Sequence, residues 1–153
     1  WANFKQETTH TWFCMFDVNA NESPLVKLMH ELWTGKVTEN VAPIVDSLNI
    51  GKFVRYQDIL LKPETRYPAT VTASDRNTDR LIFKWEIRPE AEYASYAGQG
   101  EKEPKPLPGL ADESSNSIHF TTPTVEGAYR LFVYVYDRHG HFSTANLPFC
   151  VKQ

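Results

Sequence analysis

Asp75-Arg76-Asn77-Thr78-Asp79 carries oxygen-bearing side chains at alternate positions, the spacing of a calcium loop, and Asp137 can approach from a neighbouring loop. Calcium takes six to eight oxygen ligands at about 2.4 Å. Arg76 and Arg80 put cations into this run, and it lacks a glycine for the sharp turn. An ordinary polar turn is therefore the expectation, with calcium at Asp75, Asn77, Asp79 and Asp137 as the alternative. His139 and His141 form a His-Gly-His turn that could chelate zinc or copper with a third ligand. With no obvious Cys or acidic partner beside them, they read as a solvated hairpin tip. His10, His30 and His119 stand alone.

Catalysis has little to build on. Gly-x-Ser-x-Gly is absent, so nothing supports a Ser/His/Asp centre. Glycoside hydrolysis needs two carboxyl groups facing each other across a cleft, roughly 5–9 Å apart. Glu86, Glu90 and Glu92 fall on a strand end and a loop, where no cleft forms by default. The chain is expected to be non-enzymatic, without a cofactor. Exposed aromatics are the remaining option. Tyr134 and Tyr136, with Phe132 and the loop residues Tyr93 and Tyr96, could stack pyranose rings. Against this, a long loop folding over that face would bury them.

Composition narrows the partners. The 153 residues carry a net charge of −3 without a basic run, so the clustered cations of a nucleic-acid surface are missing. No apolar run approaches the roughly 20 residues that span a bilayer. A hydrophobic fraction of 41%, with nine Phe, seven Tyr and four Trp, is enough for a real core. Cys14 and Cys150 read as free thiols, too few for a disulfide framework. The start at Trp1, without methionine or signal peptide, gives the look of a piece of a longer polypeptide.

The elements that must position these residues fall into two groups. In the first, Thr11–Val18 is apolar enough for a short strand. Ser23 can then cap a helix, and Pro24 sits at its first position. Leu25, Leu28, Met29, Leu32 and Trp33 recur at helical spacing, a stripe that such spacing packs into a core. If the helix belongs to another domain, Leu28, Met29 and Leu32 are expected to stay exposed or to seek a second copy. Gly35 closes the helix. A domain boundary is expected near Asn40–Pro43, dividing residues 1–40 from 41–153.

Beyond it, short strands alternate with turn signals: Ile44–Ile50, Ile59–Leu61, Arg66–Ala73, Leu81–Ile87 and Ser117–Thr121. A hairpin over Glu126–Val151 follows. Its first strand is apolar on both parities, which predicts a central position in a sheet. About seven such strands predict an all-β, immunoglobulin-like β-sandwich. Ala69, Val71 and Ala73 should face inward, as should Leu81, Phe83, Trp85 and Ile87. Residues 89–116 break the rhythm as a long proline-rich connector.

Two details carry the immunoglobulin-like reading: Trp85 in a long strand, and Glu126-Gly-Ala-Tyr129-Arg-Leu131, which resembles a tyrosine corner. Leu131 takes the place of the usual cysteine, with Val71 facing it. Asn40-Val-Ala-Pro-Ile-Val, Thr72-Ala-Ser-Asp75 and the strand ending Tyr136-Asp137 resemble the cadherin-like and PKD-like domains of bacterial cell-surface proteins. Trp1, residues 5–13, Phe16-Asp-Val-Asn19 and Leu32-Trp-Thr-Gly-Lys36 resemble the end of a glycoside hydrolase (β/α)₈ barrel that leads into C-terminal sandwich domains. With Ala97-Gly-Gln-Gly-Glu101, the resemblance covers nearly the whole chain.

It implies a non-catalytic accessory domain of a secreted or periplasmic polysaccharide-degrading hydrolase. The domain would pack on the catalytic barrel of the same polypeptide, with Trp1 left from a sugar-stacking rim. The alternatives are an independent carbohydrate-binding module, which would use Trp1, Tyr93, Tyr96, Tyr134 and Tyr136, or a calcium-stiffened spacer or adhesion domain.

Overall fold

The computed structural model describes residues 15–17, 19–55, 57–90, 104–109 and 115–153. Trp1, Cys14, Glu92, Tyr93, Tyr96 and five of the eight residues of the strand expected over Thr11–Val18 lie outside them. Among the described residues, one helix, α1 (Pro24–Thr34), precedes seven strands: β1 (Ile44–Ile50), β2 (Leu60–Leu61), β3 (Arg66–Ser74), β4 (Ile82–Pro89), β5 (Ser117–Thr121), β6 (Gly127–Tyr136) and β7 (Phe142–Val151).

Period-two patterning sorts the strands into two layers. One sheet has the order β1-β3-β5, all antiparallel, and the other has β2-β7-β6-β4, with β2 parallel to β7. The inward rows of both meet in one core. Ala69 and Val71 of β3, Phe83, Trp85 and Ile87 of β4, Leu131 and Val133 of β6, and Leu147 and Phe149 of β7 are buried there, while Ala73 and Leu81 are half-buried at its margin. Alternating side chains on facing sheets make this an immunoglobulin-like sandwich.

Its two diagnostic features are in place. Trp85 is buried between the sheets, and its indole N–H donates to the Ser115 carbonyl at 3.0 Å. The Tyr129 hydroxyl donates to the Val125 carbonyl at 2.9 Å and closes the tyrosine corner. Val71 and Leu131, both fully buried, fill the space with aliphatic packing.

The second parity of β6 is also covered. Phe132, Tyr134 and Phe142 form a separate buried cluster on the outer face of the four-stranded sheet, with Tyr136 against it. Ionic pairs continue that face: Arg88 with Glu86 at 2.7 Å and Arg130 with Glu90 at 2.9 Å. Glu86 is only 8% exposed. Burial pushes its carboxyl up, but hydrogen bonds and charge from Arg88 and Lys84 outweigh that and leave it below the usual glutamate range.

The helix departs from expectation in two ways. Pro24 opens it and Gly35, at φ 68°, closes it, as the sequence predicts, but Ser23 makes no side-chain cap bond. More importantly, no residue of α1 is buried. Leu28, Leu32 (73% exposed) and Trp33 (75% exposed) face outward, so the stripe is not core packing; Leu28 and Leu32 are exposed as expected of a helix belonging to another domain. Helical periodicity records that one face is apolar; it does not say what covers that face.

Candidate functional site

The residues with chemical potential converge at one end of the sandwich, where the β3–β4 turn, the β6–β7 turn and the linker before β1 meet. In the first turn, Asp75 Oδ1 accepts the N–H groups of Asn77 at 2.8 Å and Asp79 at 3.1 Å. Its backbone carbonyl accepts Thr78 N–H at 3.2 Å. Thr78 sits at φ 63°, an uncommon conformation for a β-branched residue, held here by the carboxylate-bonded turn.

The second turn is built around Asp137, which is 1% exposed. Its Oδ1 accepts the backbone N–H groups of His139 at 2.7 Å and His141 at 3.1 Å, and its Oδ2 lies 2.5 Å from His141 Nδ1. Burial pushes the Asp137 carboxyl up. The two backbone N–H groups and the His141 ring together outweigh burial and hold it below the ordinary aspartate value. Arg138 and Gly140, at φ 69° and 91°, let the chain reverse within this short turn.

The linker is stitched to the β3–β4 turn and to the start of β7. Asn40 Nδ2 donates to Asp79 Oδ2 at 3.1 Å. Asn77 Nδ2 donates to the Glu39 carbonyl at 2.9 Å, and its Oδ1 accepts Val41 N–H at 3.3 Å. Val41, Ala42 and Pro43 are buried, and the Ser143 hydroxyl donates to the Pro43 carbonyl. The segment before the helix joins the same end. Glu22 N–H donates to Gly140 at 2.7 Å, and Phe142 N–H donates back to Glu22 at 2.9 Å. Phe16 forms an antiparallel bridge to Glu22, and Glu22 a parallel one to His141.

This geometry brings together three of the four residues expected for calcium. One carboxylate oxygen each from Asp75, Asp79 and Asp137 lies within 4.8 Å of the other two. Asp75 Oδ2 is buried and makes no hydrogen bond. Asn77 spends its amide on the linker instead. The histidines are not the isolated tip that their spacing suggests: His141 is bonded to Asp137, and His139 Nε2 stands 3.6 Å from Asp79 Oδ1. The partner of His139 lies sixty positions away in sequence, which local inspection misses. The one for His141 was four residues upstream, and its spacing was the available signal.

No protein-family model and no curated protein matches this chain. Several solved structures resemble it, among them the following three. The PKD1 domain of Vibrio anguillarum Epp is 14% identical, with a TM-score of 0.42 over 74% of this chain and 98% of that one. The PKD domain of an M14-like peptidase from Thermoplasmatales archaeon SCGC AB-540-F20 is 16% identical, with a TM-score of 0.43 over 73% and 94%. The PmoD soluble domain from Methylocystis sp. ATCC 49242 (Rockwell) is 16% identical, with a TM-score of 0.40 over 76% and 95%.

Of the aromatic residues expected to stack sugars, Tyr134 and Tyr136 are among the described residues, and Trp1, Tyr93 and Tyr96 are not. Tyr134 is 8% exposed and Tyr136 half-buried, so a pyranose would first have to displace what packs on the Tyr134 ring. Glu86 and Glu90 are each paired with an arginine on the outer face of the sheet. Among the described residues, no helix is long and apolar enough to cross a membrane.

Proposed function

We propose that this chain is a non-catalytic accessory domain that acts as a spacer and fixes the direction of the polypeptide leading into it. The observation that carries this reading is the double anchoring of the N-terminal segment. Asn40 and Asn77 tie residues 39–41 to the β3–β4 turn, and Glu22 is bonded on both sides to the β6–β7 turn. A sheet-like bond network at a junction resists hinge motion because bending it leaves backbone groups unpaired.

The barrel-like residues of the N-terminal part support placing this spacer beside the catalytic barrel of a secreted or periplasmic glycoside hydrolase. The buried Tyr134 argues against an independent carbohydrate-binding module. Residual dipolar couplings provide the test of the spacer reading. Amides of α1 and of the sandwich should fit one alignment tensor, and Asn40→Ala with Asn77→Ala, combined with Glu22→Pro to remove the N–H that holds Gly140, should split them into two. A wild-type chain that already needs two tensors would overturn the proposal. Retardation of the chain on soluble glycans in affinity electrophoresis would restore the binding-module reading.

A second reading applies to the same end: a cation, calcium by its oxygen-only ligands, stiffens the junction. The three clustered carboxylates and the unpartnered Asp75 Oδ2 favour it. Terbium luminescence excited through nearby aromatic rings tests it, with loss of signal expected in Asp79→Ala. Absence of any signal in the wild type would remove the cation from this account.

A further inference from the structure

The connector between β4 and β5 does more than span a distance. β4 is an outer strand of the four-stranded sheet. On its inner side it bonds to β6, and Glu90 N–H continues that ladder to Ala128. In an antiparallel pair, alternate residues direct both backbone groups toward the neighbour and the others direct both away. Phe83, Trp85 and Ile87 therefore aim their N–H and C=O groups at the open edge, and Pro89 continues the row without an N–H. Such an edge is a template for pairing with another chain.

Part of the connector lies against this edge. Leu107 N–H donates to the Ile87 carbonyl at 2.8 Å, and the Leu107 side chain packs against the core. Arg88 donates to the Pro104 carbonyl at 2.9 Å. Farther along, Trp85 Nε1 bonds the Ser115 carbonyl as the connector returns toward β5. The sequence here is Pro104-Lys-Pro106-Leu107-Pro108. Leu107 supplies a donor toward β4. Its neighbours Pro106 and Pro108, which in an extended chain point the other way, have no N–H to offer a further strand.

We infer that Pro104–Pro108 is a strap that ends the sheet, taking the Ile87 carbonyl at the edge of β4 while presenting no donors outward, and that its release lets β4 pair with β4 of a second copy. The charges on β4, together with Pro89, choose the register of that pairing, because centring on Ile87 would set Trp85 opposite Pro89, which has no N–H to give. Lys84, Glu86 and Arg88 alternate on the outer face. An antiparallel pair centred on Trp85 sets Lys84 opposite the other copy's Glu86, twice. Centring on Glu86 would oppose glutamate to glutamate and lysine to arginine, which is unfavourable.

Sedimentation of the whole chain over a range of concentrations, with circular dichroism to confirm folding, tests the inference. The wild type should remain a monomer. Leu107→Asp, which expels the side chain from the core, should stay folded and double its mass as concentration rises. Leu107→Pro removes only the donor and keeps an extended apolar strap; it decides the matter if the aspartate variant does not fold. Adding Lys84→Glu to Leu107→Pro should return the monomer by placing acid opposite acid. Folded strap variants that stay monomeric at every concentration would overturn the inference. So would association that survives Lys84→Glu.

Discussion

His141 Nδ1 lies 2.5 Å from Asp137 Oδ2, while Asp137 Oδ1 accepts the backbone N–H groups of His139 and His141. A single buried carboxylate thus organises the whole β6–β7 turn. Through Gly140 and Phe142 that turn also seats Glu22, so the pair fixes a junction and not only a hairpin.

Asp137→Ala should therefore act locally. It leaves two turn N–H groups without their acceptor, a loss of about 1–3 kcal/mol. In hydrogen exchange, the amides of Glu22 and Phe142 should lose protection well before that of Val133 in the core. Equal loss at all three sites would show that the turn is not a separate unit.

Trp85→Ala should cost about 3–5 kcal/mol, the range for emptying a buried aromatic site. The ring sits between the sheets, and its N–H bond to Ser115 is lost as well. Denaturant melts measure this directly. A loss below about 1 kcal/mol would contradict the packing described.

Glu86 predicts an acid-sensitive contribution to stability. Burial raises its pKa, yet Arg88 and Lys84 leave it lowered overall in the folded chain. The unfolded chain therefore takes up the proton first as pH falls. The contribution is complete above the unfolded glutamate value of about 4.3 and is lost as pH drops through the folded value. Glu86→Gln should flatten the acid limb of a plot of stability against pH. An acid limb that keeps the wild-type slope would assign the effect to other carboxylates.

On the cation reading alone, millimolar calcium raises the melting temperature of the wild type relative to chelator, because a ligand held only by the folded state adds RT ln(1 + [L]/Kd); on the polar-turn reading, no shift is expected. The rise should vanish in Asp79→Ala, which takes one oxygen from the cluster and also frees Asn40. Identical melts with and without calcium would leave the junction held by hydrogen bonds alone.

Strand positions and inward parity were legible in the sequence because alternation is a local property of each segment. Trp85, Ile87, Val71 and Leu131 all face the core that their spacing predicts. Tyr129 announced its corner through the residues around it, since the hydroxyl bond closes only four positions back. The proline at the start of α1 and the glycine at its end were equally local signals.

Other features depend on which distant segments meet. Asp75 and Asp79 lie some sixty residues from Asp137, and only the apposition of two turns makes them one cluster. The same holds for His139 beside Asp79, and for the linker amides that claim Asn77. An apolar stripe on α1 and an apolar second parity on β6 look alike in sequence, yet one stands exposed and the other is buried. Periodicity fixes which side chains share a face, because that follows from backbone geometry. What covers the face is set by tertiary packing, which no single segment encodes.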